Sequence, residues 1–442
     1  MEELMRNCIA FALANGASGV RITYNESLTD LVGMRDGEVD KVTHSLDRSF
    51  VFALFVDGRF GTFSTNRLEE EALHAFILNA IDMARMLVQD PCRSLPAPER
   101  KVRDAGTGLE AGLYDPAQQE MDAARRLELA RSASLWHRKA ELEKGFSILS
   151  EEEEYSDNRY DTLILDSEGL CCRHLETSFE IGSEITVADA EGNRFSGFWW
   201  SSAAGLAALE PEIPACAETA LRRAVDQIGP RRTAGGKRNL VISSECASRL
   251  LNPVLTALNG YSLQQQNSFL TDTLGKQVFP EKLTVLDKPR SAGETGAKWF
   301  DSEGVAALDA PVIEKGVVKR YFVNTFIAAK TGLEPTVEDC TRIVVEPTAD
   351  GVSKEDLMRL AGDGILVTGF NGGNSNSATG DFSYGIEGFA FAGGKIVHPV
   401  REMLMTGSFL TLWNSLAAVA DDARPCMTRR IPSLWFKDVD VR

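Results

Sequence analysis

Val32-Gly-Met-Arg-Asp-Gly-Glu-Val39 and Leu54-Phe-Val-Asp-Gly-Arg-Phe-Gly61 each set an Asp-Gly dipeptide between strand-forming residues. Asp-Gly tolerates positive φ at both central positions of a tight hairpin turn, so each stretch reads as two antiparallel strands joined end to end. Working outward, residues 20–24, 28–35, 39–44 and 49–56 read as strands, and 61–64 continues the return of the second hairpin. A helix is predicted before them over residues 3–14. Leu4, Cys8, Ile9, Phe11 and Ala12 fall there at helical spacing, and Asn15-Gly16 closes it. A long amphipathic helix is predicted after them over 68–88.

The pattern repeats further on. A helical stretch starts at Asp115-Pro116 and runs to about Glu143. A strand meander follows over 147–155, 161–166, 170–175, 179–190 and 194–200, with turns placed at Asp157-Asn158, 167–169 and 191–193. Residues 211–228 read as a helix. Gly229-Pro-Arg-Arg-Thr-Ala-Gly-Gly-Lys237 has no periodicity and reads as a linker. It divides the chain into an N-terminal domain, residues 1–230, and a C-terminal domain, residues 238–442. The second half reads as strand-rich, with hairpins at Glu314-Lys315-Gly316 and Gly393-Gly394 and helices over 245–258, 354–360 and 407–418. Meanders and helices segregate instead of alternating, so the fold class is α+β: antiparallel meanders with long helices first, a strand-rich domain with a few helices second.

Composition sets limits. The chain has 442 residues, 43% hydrophobic and 25% charged, within the range of globular proteins. Its longest apolar run, 50–56, is far short of the ~20 residues that span a bilayer. The acidic start Met1-Glu2-Glu3 lacks the basic region of a signal peptide. Eight cysteines without a C-x-x-C motif fit a reduced compartment, and a cytoplasmic protein is expected. The net charge of −17 argues against a nucleic-acid binder, which needs Lys and Arg to replace counterions on phosphates. Five histidines are present, at 44, 74, 137, 174 and 398; none is followed by Glu, so H-E-x-x-H is excluded. No phosphate loop and no G-x-S-x-G elbow occurs. Cys172 and His174 would share a strand face, but two ligands do not make a metal site, and core packing is the expected role of Cys172. Glu151–Glu154 reads as the solvent face and end of one strand.

The conspicuous segment is Gly369-Phe-Asn-Gly-Gly-Asn-Ser-Asn-Ser-Ala-Thr-Gly-Asp-Phe-Ser-Tyr-Gly-Ile-Glu-Gly388. Its glycines allow positive φ and close backbone approach, and its exposed amides could hold a carboxylate or a peptide main chain. Asp381 and Ser383 would point to the same side. Two readings stand: a loop facing substrate or partner, or an array of turns packed under a sheet edge.

At this segment the sequence resembles the TldD/PmbA family, once named modulators of DNA gyrase. The resemblance covers nearly the whole chain. Arg35-Asp-Gly-Glu-Val-Asp-Lys-Val42 and Val56-Asp-Gly-Arg-Phe-Gly-Thr-Phe-Ser-Thr-Asn66 are similar to its first-domain hairpins. Ser268-Phe-Leu-Thr-Asp-Thr-Leu-Gly-Lys-Gln-Val-Phe279, Phe300-Asp-Ser-Glu-Gly-Val305, Thr379-Gly-Asp-Phe-Ser383 and Ile431-Pro-Ser-Leu434 follow in the family's order.

The resemblance implies a heterodimeric metallopeptidase that cleaves unfolded or extended peptides, as in peptide maturation and antitoxin turnover. Its TldD kind carries H-E-x-x-x-H and a C-terminal metal-binding Cys. Its PmbA (TldE) kind lacks the histidines and completes the substrate chamber. Counted back from Ser268-Phe269, that hexapeptide would fall near Leu251-Asn-Pro-Val-Leu-Thr256. Leu251, Asn252 and Thr256 offer no histidine, so Cys426, near the position of the metal-binding Cys, lacks the two histidines with which it would hold a metal.

The chain therefore resembles the PmbA subunit. No catalytic residue is assigned and no cofactor is expected on this chain, zinc belonging to a TldD-type partner. Asn371, Gly372, Gly373, Asp381 and Ser383 are the expected peptide-binding residues. The implied partners are a TldD-type catalytic subunit, or a second copy in a homodimer, and a peptide substrate, with no membrane and no direct nucleic acid. An autonomous homodimeric hydrolase and a regulatory binding protein linked to gyrase are the alternatives.

Overall fold

The computed structural model describes residues 1–442. The chain divides into two compact units. The first comprises residues 1–222, 290–307 and 324–338; the second comprises 223–289, 308–323 and 339–442. Two segments from the second half of the sequence thus belong to the first unit.

The first unit is built on six antiparallel strands: β1 (Gly19–Arg35), β2 (Glu38–Val56), β3 (Arg59–Thr65), β4 (Ser147–Asp166), β5 (Cys171–Ala188) and β6 (Arg194–Ala203). Their order is β3-β2-β1-β4-β5-β6. Both Asp-Gly turns form as expected, with φ of +51° and +79° at Asp36 and Gly37 and +51° and +72° at Asp57 and Gly58. Two positive φ values give the turn a twist that matches the flanking strands.

The strands run longer than the sequence pattern predicts. Residues 20–24 and 28–35 are one strand, β1; residues 39–44 and 49–56 are one strand, β2. The turn expected at Asp157-Asn158 does not exist. Asp157 lies inside β4, fully buried, where its carboxylate accepts from Arg126 Nε at 2.6 Å and from Gln118 Nε2 at 3.0 Å. A polar dipeptide in mid-strand mimics a turn signal when its charge is neutralised by a residue far away in sequence.

One sheet face carries two apolar clusters. Helices Glu2–Ala14 and Glu70–Arg85 cover Val20, Ile22, Phe50, Phe52 and Leu54. Helix Ala123–Ala133 covers Val32, Met34, Tyr155, Phe179 and Ile181. The single helix expected over 115–143 is broken into short pieces. Asp122 restarts it by accepting from Arg125 N at 2.8 Å. Glu151 stops it by accepting from Ser134 Oγ at 2.9 Å and Leu135 N at 2.6 Å.

Glu151–Glu154 is not simply a solvent face. Strand alternation buries Glu151 and Glu153 and exposes Glu152 and Glu154. Burial first, and the adjacent Glu151 carboxyl second, push Glu153 up to about 9.

The second unit holds a small barrel made of β7 (Gly236–Ile242), β12 (Gly364–Ser375), β13 (Asp381–Ala392), β14 (Lys395–Ser408) and β16 (Leu434–Val441). The strands run in the order β14-β13-β12-β7-β16, and a β14–β16 pairing closes the ring. Strand β15 (Leu416–Val419) extends β16, so the helix expected over 407–418 shrinks to Phe409–Asn414. A four-stranded sheet lies beside the barrel, in the order β10-β9-β8-β11, from β8 (Val285–Asp287), β9 (Ala310–Glu314), β10 (Val317–Val318) and β11 (Ile343–Val345). The α+β class and the strand-rich second half are as the sequence predicts.

Candidate functional site

The glycine-rich segment is the β12–β13 hairpin. Its tip, 376–380, is held by Asn376: Asn376 N donates to Asp381 O at 2.8 Å, and its Oδ1 accepts from Ala378 N at 2.9 Å. The tip is anchored by the neighbouring loop. Phe269 N donates to Ser377 O at 3.1 Å, and a Cβ on Gly380 would meet the Phe269 ring at 2.9 Å. Gly380 therefore answers to close approach, and Ser268-Phe269, quoted above for its resemblance, is the wall it approaches.

The hairpin has two unlike sides. Phe382 and Tyr384 are buried against each other and against Phe409, with Phe269 stacked on Phe409. Asn371, Gly372, Gly373 and Asp381 are exposed and Ser383 is half-buried. Alternation along β13 puts Asp381 and Ser383 on the same side, as expected. Asp381 Oδ2 accepts from Thr379 Oγ1 at 2.7 Å, and Asn371 Nδ2 donates to Glu387 at 2.9 Å.

Pairing is irregular where the glycines sit. Phe370 faces Ile386, but the next partner pair is Gly373 with Tyr384, so Asn371 and Gly372 bulge out of the ladder. Gly373 has φ +100°, and a Cβ there would lie 2.0 Å from Ser383 O.

Beneath the bulge is a cavity of about 440 Å³ lined by Cys246, Ser248, Arg249, Asn252, Phe370 and Gly372. Four of these lie in or just before helix Ser248–Ala257. Arg249 is exposed and fixed on two sides: Nη2 donates to Gly373 O at 3.3 Å, and the guanidinium lies 4.7 Å from the Tyr384 ring centre. Cys246 donates weakly to Ser243 O and Val367 O, and burial raises its thiol pKa well above the usual range.

Of the three residues expected at the degenerate motif, the structure brings Asn252 alone to this cavity. Leu251 is fully buried in the core and Thr256 is exposed. Asn252 Oδ1 accepts from Arg429. Cys426 is half-exposed in the loop before β16 and does not line the cavity. The lining fits a metal badly, since it offers one half-buried thiol, no histidine and a guanidinium. No group of three His, Cys, Asp or Glu side chains is placed to hold a metal ion. In the first unit, Cys172 packs with Ile164, Leu170 and Phe300, and His174 Nε2 is 3.1 Å from Glu176.

Arg249, Ser248 and Phe370 escaped the sequence reading. The available signal was helical spacing: 248, 249 and 252 fall on one face, whereas 251 does not.

No helix is long and apolar enough to cross a membrane. Three family patterns match in order: "PmbA/TldA metallopeptidase domain 1" over residues 20–84, "central domain" over 115–228 and "C-terminal domain" over 235–442. The curated metalloprotease PmbA of Escherichia coli O157:H7 is 26% identical over 415 residues, covering 93% of this chain and 90% of that one. A crystal structure of a candidate modulator of DNA gyrase from Bacteroides thetaiotaomicron superposes with a TM-score of 0.93. It is 34% identical and covers 100% of this chain and 98% of that chain. TldE from Thermococcus kodakarensis shares the fold, with a TM-score of 0.85 at 19% identity and 99% coverage of both chains. With each part of the sequence matched in the family's own order, the chain belongs to the PmbA/TldD metallopeptidase family.

Proposed function

We propose that this chain is the PmbA/TldE-type subunit of a two-subunit peptidase, contributing substrate binding while a TldD-type partner supplies the zinc and the hydrolysis. The observation that carries this reading is the lining of the cavity beneath the bulge. Where the catalytic kind of subunit needs histidines and a general base, helix Ser248–Ala257 presents Ser248, Arg249 and Asn252. A guanidinium repels a metal cation and attracts peptide carbonyls and carboxylates.

In this reading an extended peptide runs along the β12–β13 hairpin by strand addition. Asn371 and Gly372 offer main-chain groups that the bulge frees from the ladder, and Gly373, paired with Tyr384, holds the strand end beside them. Asp381 and Ser383 flank the path with side chains. The setting is the cytoplasm, and the substrates are unfolded or extended peptides.

The test is elemental analysis of the purified chain after dialysis against trace zinc. An unstructured peptide is then incubated with this chain, with a TldD-type paralogue, and with both. The reading expects substoichiometric metal on this chain and cleavage that needs the paralogue. Stoichiometric metal with turnover by the lone chain would instead make it an autonomous hydrolase. Salt-sensitive binding to DNA with no effect on cleavage would favour the gyrase-linked role.

A further inference from the structure

Strand β7 pairs with β12 only where Leu240 to Ile242 lie opposite Ile365 to Val367. Beyond Ile242 the chain turns away towards helix Ser248–Ala257, so the rest of β12 has no strand on that side. The cavity of about 440 Å³ occupies this gap. Phe370 and Gly372 of β12 line it, and so do Ser248, Arg249 and Asn252 of the helix. Spacings of three and four residues place Asn252 next to both Arg249 and Ser248 on the helix surface.

The polar groups of that helix face are donors. Arg249 has no acceptor atom. The Oδ1 of Asn252 is taken by Arg429, which can only donate, so the amide keeps its Nδ2 hydrogens for another partner. Ser248 adds a hydroxyl. No carboxylate lines the cavity. Glu245, one turn before the helix, accepts from Arg223 Nη1 at 2.8 Å, and its side chain is only 7% exposed. Glu387 lies on the face of β13 opposite to Tyr384, whereas the Arg249 guanidinium sits over the Tyr384 ring.

We infer that this cavity is a carboxylate subsite: it takes either the C-terminal carboxylate of an extended peptide or the side chain of an Asp or Glu within it, and Arg249 and Asn252 select for that charge. The guanidinium is already oriented by Gly373 O and the Tyr384 ring, so little ordering remains to oppose binding. One N–H is used on Gly373 O, and the others form a planar donor set that matches the two oxygens of a carboxylate. Hydrogen bonds to an ionised acceptor are about twice as strong as those to a neutral carbonyl, which separates a carboxylate from the amides of the same peptide. A lysine or arginine side chain meets like charge there. The volume lies within the roughly 300–1,000 Å³ of small-ligand pockets. The inference rests on the peptidase reading for the ligand's being a peptide; the charge selection rests on the lining alone.

Three unstructured peptides that differ only in charge test it. The first has a free C-terminus and no Asp or Glu. The second is C-terminally amidated and carries a single Glu, moved along its length. The third is amidated and has no acid. Affinity for the full chain is measured by calorimetry, and cleavage by the chain together with a TldD-type paralogue. At least one carboxylate peptide should bind about tenfold or more tighter than the neutral one, and the tighter of the two identifies the source of the carboxylate. In cleavage the preference should appear in KM. Arg249→Glu, with a melting curve confirming that it folds, should abolish the preference and favour an amidated peptide carrying a single Lys. Arg249→Lys keeps the charge without the planar fork and should retain only part of it. Asn252→Asp should weaken it as well. Equal affinity for the three peptides, binding of none, or a preference that survives Arg249→Glu overturns the inference. Selective binding without paralogue-dependent cleavage would refute the peptidase reading and leave the subsite standing. Paralogue-dependent cleavage indifferent to the carboxylate would do the reverse.

Discussion

Gly372 and Gly373 are neighbours with similar backbones and very different surroundings, and substituting each by alanine separates two effects. Both have φ in the region that favours glycine, +124° and +100°. Each alanine carries backbone strain of about 1–3 kcal/mol. At Gly372 a Cβ meets nothing within 4 Å, so strain is the whole cost. At Gly373 the Cβ would lie 2.0 Å from Ser383 O and 2.7 Å from Tyr384 Cα. Relieving that contact requires the two strands to part by about 1 Å or more, since C···O contacts near 3.3–3.6 Å are already close. Parting them loosens the pairs Gly373–Tyr384, Asn374–Ser383 and Ser375–Phe382. Two or three hydrogen bonds at about 0.5–1.5 kcal/mol each give an added cost of about 1–4 kcal/mol.

Hydrogen exchange of the amides in 371–384 reads this directly. Relative to Gly372→Ala, Gly373→Ala should lower their protection by about tenfold to a thousandfold, at 1.4 kcal/mol per factor of ten. Partner-dependent peptide cleavage should fall with it. Equal protection in the two variants would show that the hairpin tolerates a side chain there. The link from close approach to bulge to binding edge would then be wrong.

Four further outcomes are expected. Arg126→Met strands the fully buried Asp157 carboxylate beside Asp30 and should cost about 3–5 kcal/mol in denaturant unfolding, whereas an exposed Arg→Met change stays within about 0.5. Glu153 binds its proton more tightly when folded than when unfolded, so its contribution to stability falls as pH rises from the ordinary carboxylate range to about 9. Glu153→Gln should therefore gain on the wild type steadily between melts at pH 5 and pH 8, by at most about 1.4 kcal/mol per pH unit. Arg249→Ala should reduce partner-dependent cleavage about tenfold or more while changing stability by less than about 0.5 kcal/mol, because the side chain is exposed. Exhaustive dialysis of the chain against a chelator should leave its melting temperature unchanged, as measured by calorimetry.

How much was legible in the sequence follows from the range of each signal. The Asp-Gly and Gly-Gly turns are local and appeared where read, with both central residues at positive φ. Strand length was not local. Asn25-Glu26-Ser27 and Asp157-Asn158 look like breaks, yet Glu26 is held by Arg48 and Arg159, and Asp157 by Arg126. Helix ends were misjudged for the same reason: Glu151, on a strand, captures the groups at 134–135 that would have continued the helix.

The candidate hairpin was legible as a glycine-rich segment, and the sidedness of Asp381 and Ser383 followed from alternation. The cavity was not legible, because it joins residues near 250 to residues near 370. The residues counted back from Ser268-Phe269 fall on the helix that lines the cavity, where Asn252 reaches it and Leu251 lies on the buried face.

The closed barrel has a consequence for how the chain folds. Its first strand, β7, is hydrogen-bonded to its last, β16, with Gly236 opposite Val441, while β16 also pairs with β14 and β15. Closure thus joins segments from opposite ends of the second unit, with most of that unit's sequence lying between them. Topologies of such high contact order fold slowly, since the entropy of a long loop is lost before any contact repays it. During synthesis β7 can pair with β12 early, but its other edge waits for β16. A nascent chain would carry that open edge for the whole interval, and it is there that a chaperone holding extended segments would find its binding site.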